Sequence, residues 1–278
     1  MTRLLIVHAD DFGLTPAVSR GILRAHREGI LTSTSLLVVA PAFAESVRLL
    51  RSAPGLATGV HLAAVGEDPP LSPRGRIPSL VDADGRFAPD WKAFLRRARR
   101  VRSAEIETEF AAQIETARGC VPAIDHLDAH QHLHLFPSVR AAVLRLAKRF
   151  QIRAIRVPRA GPRRAAGLLV AWLASRLDRA ARKEGIFFPD RSDGFDDSGR
   201  MRLPALLRAV ERAAGSEASS TEIFGHPGEG ADPDRARYRW GYDWPGELAA
   251  LIAPESREAV QRAGFRLGTY RDLPWGPR

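Results

Sequence analysis

The sequence predicts an α/β fold built around a parallel β-sheet. Short apolar segments alternate with longer segments of helical periodicity, which is the pattern of consecutive βαβ units. A chain of 278 residues with 45% hydrophobic residues can bury a large core. Neither an internal repeat nor a linker divides the chain, so we expect one domain over residues 1–278.

The elements follow one another in a regular order. We predict strands at the apolar segments 3–9, 33–39, 56–64, 152–157 and 221–225. The first helix is expected to start after Thr15, an N-cap residue followed by Pro16, and to end near Gly29. Residues 65–90 are rich in Pro, Gly and Asp and predict a long functional loop. Further helices are expected at 41–53, 92–102, 103–118, 137–150, 167–182 and 254–263.

Residues 125–134 carry the densest group of reactive side chains. Four of the 8 histidines and two aspartates lie in this segment, with a polar residue at every even position. A period of two predicts a strand, in which His126, Asp128 and His130 face the same side. Imidazole and carboxylate groups are the usual nitrogen and oxygen ligands of a catalytic divalent metal ion.

Other polar residues follow the ends of predicted strands. Asp10 and Asp11 follow the first strand, His61 lies in the third, and His226 follows the last. In a (β/α) barrel, the C-terminal ends of the strands form the rim on which active sites are assembled. One histidine at a strand end is more often structural, but several together favour catalysis. The sequence therefore predicts a metal-dependent hydrolase.

The chain is strongly basic, with a formal net charge of +10 and a pI of about 10.9. One basic group lies in residues 92–102. A second group brackets residues 165–174 and consists of Arg163, Arg164, Arg176, Arg179, Arg182 and Lys183. Two explanations are open: a solvated face, or attraction to an anionic membrane or nucleic acid. Because no nucleic-acid-binding motif is present, we expect no specific nucleic-acid partner.

The helix at 167–182 carries an apolar stripe. An ordinary barrel helix packed on the sheet explains such a stripe. The alternative is an interfacial helix that touches a membrane, which would suit a lipid-linked substrate. The stripe consists of Leu168, Leu169, Trp172, Leu173 and Leu177.

Cysteine content and apolar segments bear on location. The one cysteine, Cys120, excludes an internal disulfide and a cysteine-based zinc site, and it has no basic neighbour to activate its thiol. No signal-peptide pattern precedes the first strand, and no apolar segment approaches the roughly 20 residues that span a bilayer. We therefore expect a cytoplasmic protein. Two further questions stay open: whether it attaches to the inner face of the membrane, and whether it forms a homodimer.

Five motifs occur in the same order as in the YdjC-like carbohydrate deacetylases, and the chain resembles that family over nearly its whole length. The motifs are residues 9–14, 31–35, 59–62, 126–134 and 226–228. Among subgroups, the chain looks closest to the hopanoid-biosynthesis-associated deacetylases (HpnK type), on residues 41–43, 80–87 and 155–159. The resemblance implies a deformed (β/α) barrel that removes the N-acetyl group from an N-acetylglucosamine unit.

The resemblance also implies roles for individual residues. The metal triad falls on Asp11, His61 and His130, and would bind one divalent ion. Zinc and magnesium are the first expectations, with manganese, iron, cobalt and nickel as alternatives; an aspartate with two histidines suits magnesium less naturally than the others. Asp10 takes the role of general base, and His226 that of general acid or oxyanion stabiliser.

Amide hydrolysis fits this division of roles. An amide is a poor electrophile, and a metal with three protein ligands keeps an open position that lowers the pKa of bound water to roughly 7. Successive side chains on a strand face opposite ways. Asp11 would therefore bind the metal, while Asp10, turned by a kink at the strand end, accepts the proton of the water.

Several residues are expected to support this centre. Asp128 and His126 would orient His130 and fix its tautomer. His132 and Arg156 are candidates for substrate contact, with capping of a loop and ordinary surface charge as the alternatives.

Two positions depart from the family's pattern. His8 stands where an asparagine is usual, and Gln131 replaces the middle one of three consecutive histidines. Gln131 is not an expected ligand, so the triad is preserved. His8 is expected to pack or hydrogen-bond within the strand, with a contact to the metal or to Asp10 left open.

The preferred substrate is an N-acetylglucosaminyl glycolipid of the hopanoid type, with peripheral membrane contact. A soluble chito-oligosaccharide is the alternative within the class. A non-catalytic carbohydrate-binding barrel with a structural metal is the alternative of another class, although such a site would not need Asp10. Four aromatic residues would either stack on a sugar ring or pack in the core or as a lid: Tyr238, Trp240, Tyr242 and Trp244.

Overall fold

The computed structural model describes residues 2–160 and 165–274. Its strands are β1 (Arg3–Phe12), β2 (Ser33–Leu36), β3 (Ala57–Leu62), β4 (His126–Ala129), β5 (Ala154–Ile155), β6 (Arg191–Asp193), β7 (Ser220–Gly225) and β8 (Phe265–Leu267). Within the described residues these strands form one parallel sheet, in the spatial order β5-β4-β3-β2-β1-β7-β6, and β8 pairs with the start of β1.

Helices connect the strands. They are α1 (Pro16–Glu28), α2 (Phe43–Leu49), α3 (Trp91–Arg97), α4 (Ser103–Arg118), α5 (Pro137–Arg149), α6 (Ala165–Lys183), α7 (Leu203–Ala214), α8 (Trp244–Ile252) and α9 (Pro254–Arg262). The predicted start of α1 is confirmed, since the Thr15 hydroxyl accepts a hydrogen bond from the Val18 amide at 3.1 Å. Among the described residues, the helices lack the combination of length and apolar character that a bilayer-spanning segment requires.

Strand β1 lies at the centre of the sheet and pairs with β2, β7 and β8. Its alternating side chains divide between two environments. Leu5, Val7 and Ala9 join the main core, whereas Leu4 and Ile6 join a smaller apolar cluster that includes Tyr270. The curled parallel sheet with its helices confirms the predicted deformed (β/α) barrel.

The histidine-rich segment departs from its prediction. Strand β4 ends at Ala129, and residues 130–135 form a tight 3₁₀ segment in which Gln131 and His132 have left-handed backbone angles. The predicted strand, in which His130 would share a face with His126 and Asp128, is therefore wrong beyond Ala129. The period of two continues in the sequence, but the left-handed residues turn the backbone and end the alternation of faces.

Other elements differ in length or were missed. The strand predicted at 33–39 ends at Leu36, and the one predicted at 152–157 is reduced to Ala154–Ile155. Strands β6 and β8 contain three residues each, too few to produce a periodic signal. Helices α7 and α8 were missed although α7 is amphipathic, and α8 begins at Trp244 inside the expected aromatic loop.

The long loop after β3 is anchored on α4. The Glu109 carboxylate accepts hydrogen bonds from the amides of Leu71 and Ser72 at 3.0 and 2.8 Å. Glu105 accepts one from the Ser79 amide at 2.6 Å. Both glutamates are buried, and the hydrogen bonds from the loop amides compensate the cost of burying their carboxylates. These hydrogen bonds hold the loop in a fixed position beside the sheet.

The apolar stripe predicted on α6 divides into two faces. Leu173 and Leu177 are buried in the core, whereas Leu168, Leu169 and Trp172 are each more than half exposed. Packing on the sheet therefore explains only the C-terminal half of the stripe, and the alternative of an interfacial helix stays open for its N-terminal half.

Two residues of the second predicted basic group, Arg163 and Arg164, lie outside the described residues.

Candidate active site

The adjacent carboxylates of Asp10 and Asp11 meet in one polar cluster because β1 is irregular at its end. Asp11 has a left-handed backbone with φ of 68°, and the pairing of β1 with β2 shifts register between Ala9 and Phe12. In a regular strand, successive side chains would face opposite sides. This kink allows both carboxylates to face the interior of the curled sheet at its C-terminal rim.

Asp11, His61 and His130 form a buried centre with the geometry of a metal site. Asp11 Oδ1 lies 3.4 Å from His61 Nε2 and 3.7 Å from His130 Nδ1. One ligand atom from each residue lies within 4.8 Å of the others. Asp11 Oδ1 is buried and has no hydrogen-bond partner among the described residues, which is unfavourable unless a cation binds there. One carboxylate and two imidazoles therefore fit a divalent transition metal.

His61 is oriented by residues behind it. Its Nδ1 lies 2.9 Å from Asp128 Oδ1 and 3.2 Å from the Ser35 hydroxyl. Since an ionised carboxylate can only accept, Nδ1 carries a proton in either charge state of the ring, and Nε2 is the nitrogen that faces Asp11. Burial lowers the pKa of His61, but Asp128 and Asp10 outweigh burial and raise it to about 9.

The expectation that Asp128 and His126 orient His130 is not met. Asp128 contacts His61 instead, and the His126 ring stacks on Tyr270 with 3.8 Å between centroids. Both His126 nitrogens are buried without a hydrogen-bond partner in the described part of the chain. The reason is the end of β4 at Ala129, which places His130 outside the strand's alternation of faces.

A buried arginine fixes the position of Asp10. Arg156 donates from two nitrogens to the two oxygens of Asp10, at 2.9 and 2.7 Å. It also contacts Asp128 at 3.1 Å and donates to Glu222 at 2.9 Å, and Glu222 accepts from the Tyr270 hydroxyl at 2.6 Å. Burial raises the pKa of Asp10, but Arg156 and His61 reverse this and hold it well below its ordinary value. Arg156 has no exposed surface, which favours a positioning role over substrate contact.

His8 belongs to the same network. Its ring hydrogen-bonds to the hydroxyls of Ser33 and Ser35 at 3.0 and 3.3 Å, and lies 3.2 Å from Asp10 Oδ1. These contacts agree with the expectation that His8 hydrogen-bonds within the sheet. The structure also contains the contact between His8 and Asp10, which the sequence had offered as an alternative.

His226 also lies beside Asp10. Its Nε2 is 3.7 Å from Asp10 Oδ2, and its backbone amide donates to the buried carboxylate of Glu247. The Tyr242 ring is 4.6 Å away. His226 Nδ1 is buried and lacks a hydrogen-bond partner within the described residues, so the imidazole keeps capacity for a further contact.

Two of the four aromatic residues lie in the core, and the other two line the candidate site. Tyr238 and Trp244 are buried in the core, whereas Trp240 and Tyr242 are half-buried. The Trp240 ring lies 5.1 Å from the His130 ring, and its indole N–H donates to Glu67 at 2.9 Å. Trp240 and Tyr242 therefore form one wall of the site, which we call the aromatic wall.

The remaining histidines of the segment lie away from the Asp11 centre. His132 stacks on Phe195 with 5.0 Å between centroids, and His134 Nε2 donates to the carbonyl oxygen of Arg156 at 3.1 Å. Burial and the Arg156 charge lower the pKa of His132 well below its ordinary value.

Sequence reasoning missed several supporting residues. Glu222, Glu247, Ser33 and Ser35 contact the candidate site residues but were not predicted as site residues. One signal was available for Glu222, which is a charged residue inside an otherwise uncharged strand, β7. For Glu247 no signal existed, because it lies on helix α8 and reaches His226 only in the folded chain.

A curled parallel sheet with an aspartate, two histidines and a second carboxylate at its C-terminal rim defines a barrel enzyme of the hydrolase class. The sequence model of the YdjC-like protein family matches residues 4–262, and the chain belongs to that family.

Named relatives cover the chain from end to end. A carbohydrate deacetylase of Brevibacillus brevis is 35% identical, over 97% of this chain and 99% of its own. A chitooligosaccharide deacetylase of Proteus mirabilis is 32% identical, over 98% of this chain and 100% of its own. The predicted deacetylase family is confirmed, whereas the hopanoid subgroup stays a prediction.

A solved structure has the same fold. The crystal structure of a proposed cellobiose-phosphate cleavage protein from Enterococcus faecalis V583 superimposes with a TM-score of 0.84 at 29% identity. The match covers 98% of this chain and 99% of that chain.

Proposed function

We propose that this protein is a metal-dependent carbohydrate N-deacetylase that hydrolyses the acetamide of an N-acetylglucosamine unit. One observation carries the proposal: the metal-type centre of Asp11, His61 and His130 lies beside a second carboxylate, Asp10, with His226 next to it. A structural metal site would not need that second carboxylate. The names of the relatives, carbohydrate deacetylase and chitooligosaccharide deacetylase, support the same reaction.

Asp11, His61 and His130 would bind the divalent ion. When bound, such an ion lowers the pKa of water and polarises the acyl carbonyl, as a Lewis acid. One carboxylate and two imidazole ligands favour zinc and other transition metals, and suit magnesium less well.

Asp10 receives the proton of the attacking water. Arg156 fixes both oxygens of Asp10, so the carboxylate is ionised and aligned before substrate arrives. The low pKa of Asp10 keeps this carboxylate ionised at neutral pH, so that it is able to accept a proton.

His226 supports the second half of the reaction. The water oxygen forms a bond to the acyl carbon, the bond from that carbon to nitrogen breaks, and the nitrogen gains a proton. The His226 imidazole, 3.7 Å from Asp10, is the group that delivers this proton or stabilises the oxyanion. The products are acetate and a free amino sugar.

The aromatic wall provides a surface for the sugar. Trp240 and Tyr242 lie beside His130 and His226 respectively, so a sugar ring stacked there would have its acetamide near Asp10. We assign His132, which stacks on Phe195, and His126, which stacks on Tyr270, to packing around the site.

The substrate we favour within this class is an N-acetylglucosaminyl lipid of the hopanoid type. Exposed apolar residues at the start of α6 support a lipid-linked substrate. A soluble chito-oligosaccharide is the second candidate, favoured by the printed name of the Proteus mirabilis relative.

Acetate release from metal-defined protein tests the reaction and its substrate together. The substrates are chitobiose and N-acetylglucosaminyl hopanoid in detergent, and the variants are Asp10→Asn and His130→Ala. Asp84→Asn, on an exposed loop residue, is the matched control. We expect release by wild type and control, with a loss of about 100-fold or more in Asp10→Asn. Release from neither substrate by metal-loaded wild type would contradict the proposed function.

A further inference from the structure

Two helices, α3 and α6, expose large apolar side chains. Leu168 and Trp172 on α6 are 58% and 52% exposed, and Trp91 on α3 is 41% exposed. Leu169 and Leu95 extend these two patches. We refer to the exposed residues of α3 and of the first half of α6 as the α3–α6 surface. Exposure of this many large apolar groups is unfavourable in water and marks an interaction site.

The α3–α6 surface borders the candidate active site. The Trp91 amide donates to the Gln131 side chain at 2.8 Å, one residue after the candidate ligand His130. Helix α6 packs against the same 130–135 segment. The surface therefore flanks the mouth of the site.

The surface is basic as well as apolar. Within the described chain, Arg96, Arg99 and Arg100 form no ion pair, whereas Arg102 pairs with Glu105.

Basic side chains also lie over the exposed tryptophans of both helices. The Arg176 guanidinium lies over the Trp172 ring on α6 at 5.0 Å, and the Lys92 ammonium lies over the Trp91 ring on α3 at 5.6 Å. Tryptophan and leucine flanked by arginine and lysine are the residues that bind the interface of a bilayer.

We propose that the α3–α6 surface docks on an anionic lipid bilayer, with Leu168, Leu169 and Trp172 entering the boundary between headgroups and acyl chains. A second copy of this chain is a poorer partner, because a twofold contact would bring the same unpaired arginines together. Anionic headgroups neutralise those arginines instead. The purpose of docking beside the active site rests on the proposed function, because docking would bring the active site to a membrane-embedded sugar lipid.

Vesicle flotation of the full-length protein, without substrate, tests the docking. The vesicles contain phosphatidylcholine alone, or equal parts of phosphatidylcholine and phosphatidylglycerol. The test variant carries Leu168→Ser, Leu169→Ser and Trp172→Ser together. The control is Leu49→Ser, an exposed leucine near the C-terminal end of α2 and outside the α3–α6 surface. Circular dichroism and urea unfolding check that each variant is folded. Vesicle binding is measured without substrate, so failure of docking is distinguished from failure of the proposed function, which acetate release tests separately.

We expect wild type and Leu49→Ser to bind the anionic vesicles. The triple variant should bind them at least about tenfold more weakly, because partition into a bilayer follows buried apolar area and charge. Equal binding by the triple variant would overturn the proposal and leave nonspecific charge attraction. Absence of binding by wild type would also overturn it. So would a dimer, detected by analytical ultracentrifugation, that the triple variant abolishes.

Discussion

The floor and the wall of the candidate site are built differently. The floor consists of buried charged residues that satisfy one another, with Arg156 between Asp10, Asp128 and Glu222. The wall consists of the half-buried rings of Trp240 and Tyr242, which lie beside His130 and His226. The floor is therefore preorganised by electrostatics, whereas the wall keeps surface available for a ligand. Substitutions in the two regions should consequently have different readouts.

The largest effect is expected from Arg156→Met. This change leaves three buried carboxylates without their cation, and removal of one partner from a buried ion pair costs about 3–5 kcal/mol. Urea unfolding measures the loss of stability. Arg262→Met is the control, because the exposed pair of Arg262 and Glu258 should contribute about 0.5 kcal/mol or less. A loss as small as that of the control would mean that the floor is not held together by this charge network.

Asp128→Asn should weaken metal binding by about 10- to 100-fold, because Asp128 fixes the tautomer of His61. Zinc titration by calorimetry measures the change. Asp125→Asn is the matched control in the same segment, since Asp125 contacts Arg271 rather than the centre. Equal affinities of the two variants would exclude Asp128 as the residue that orients His61.

Trp240→Ala should raise KM for the sugar by about three- to tenfold with little change in metal affinity or stability, as expected for loss of one ring contact. Steady-state acetate release measures KM and kcat separately. Trp240→Phe should recover most of the affinity. A fall in metal affinity instead would show that Trp240 acts through His130, and the distinction between wall and floor would fail.

Ser35→Ala should have the smallest effect, a loss of about two- to tenfold in metal affinity, because the Ser35 contact to His61 is neutral and longer than that of Asp128. The same zinc titration compares the two variants directly. An effect of Ser35→Ala larger than that of Asp128→Asn would reverse the assignment of the main orienting group.

Much of the wall and the centre could be predicted from the sequence. Asp10, Asp11, His61 and His226 follow apolar segments, and the C-terminal ends of parallel strands meet at one rim. The aromatic residues were expected to face a sugar or to pack in the core or as a lid, and the structure divides them between the aromatic wall and the core.

The floor could be predicted far less well. Arg156 was weighed as a substrate-contacting or surface residue, because nothing local distinguishes it from the many other arginines of this chain. Its burial depends on Asp10 and Glu222, which lie on strands distant in sequence and adjacent in the sheet. The left-handed backbone of Gln131 and His132 was likewise invisible to a pattern that records only polarity.

The central claim is that Asp10 performs chemistry beside a centre that Asp11, His61 and His130 bind. The most direct test measures zinc affinity and acetate release in the same Asp10→Asn and His130→Ala preparations. The account predicts that Asp10→Asn binds zinc with an affinity near that of wild type but releases acetate at least about 100-fold more slowly. His130→Ala should lose both zinc affinity and acetate release. Acetate release by Asp10→Asn at the wild-type rate, or unchanged zinc affinity in His130→Ala, would contradict it.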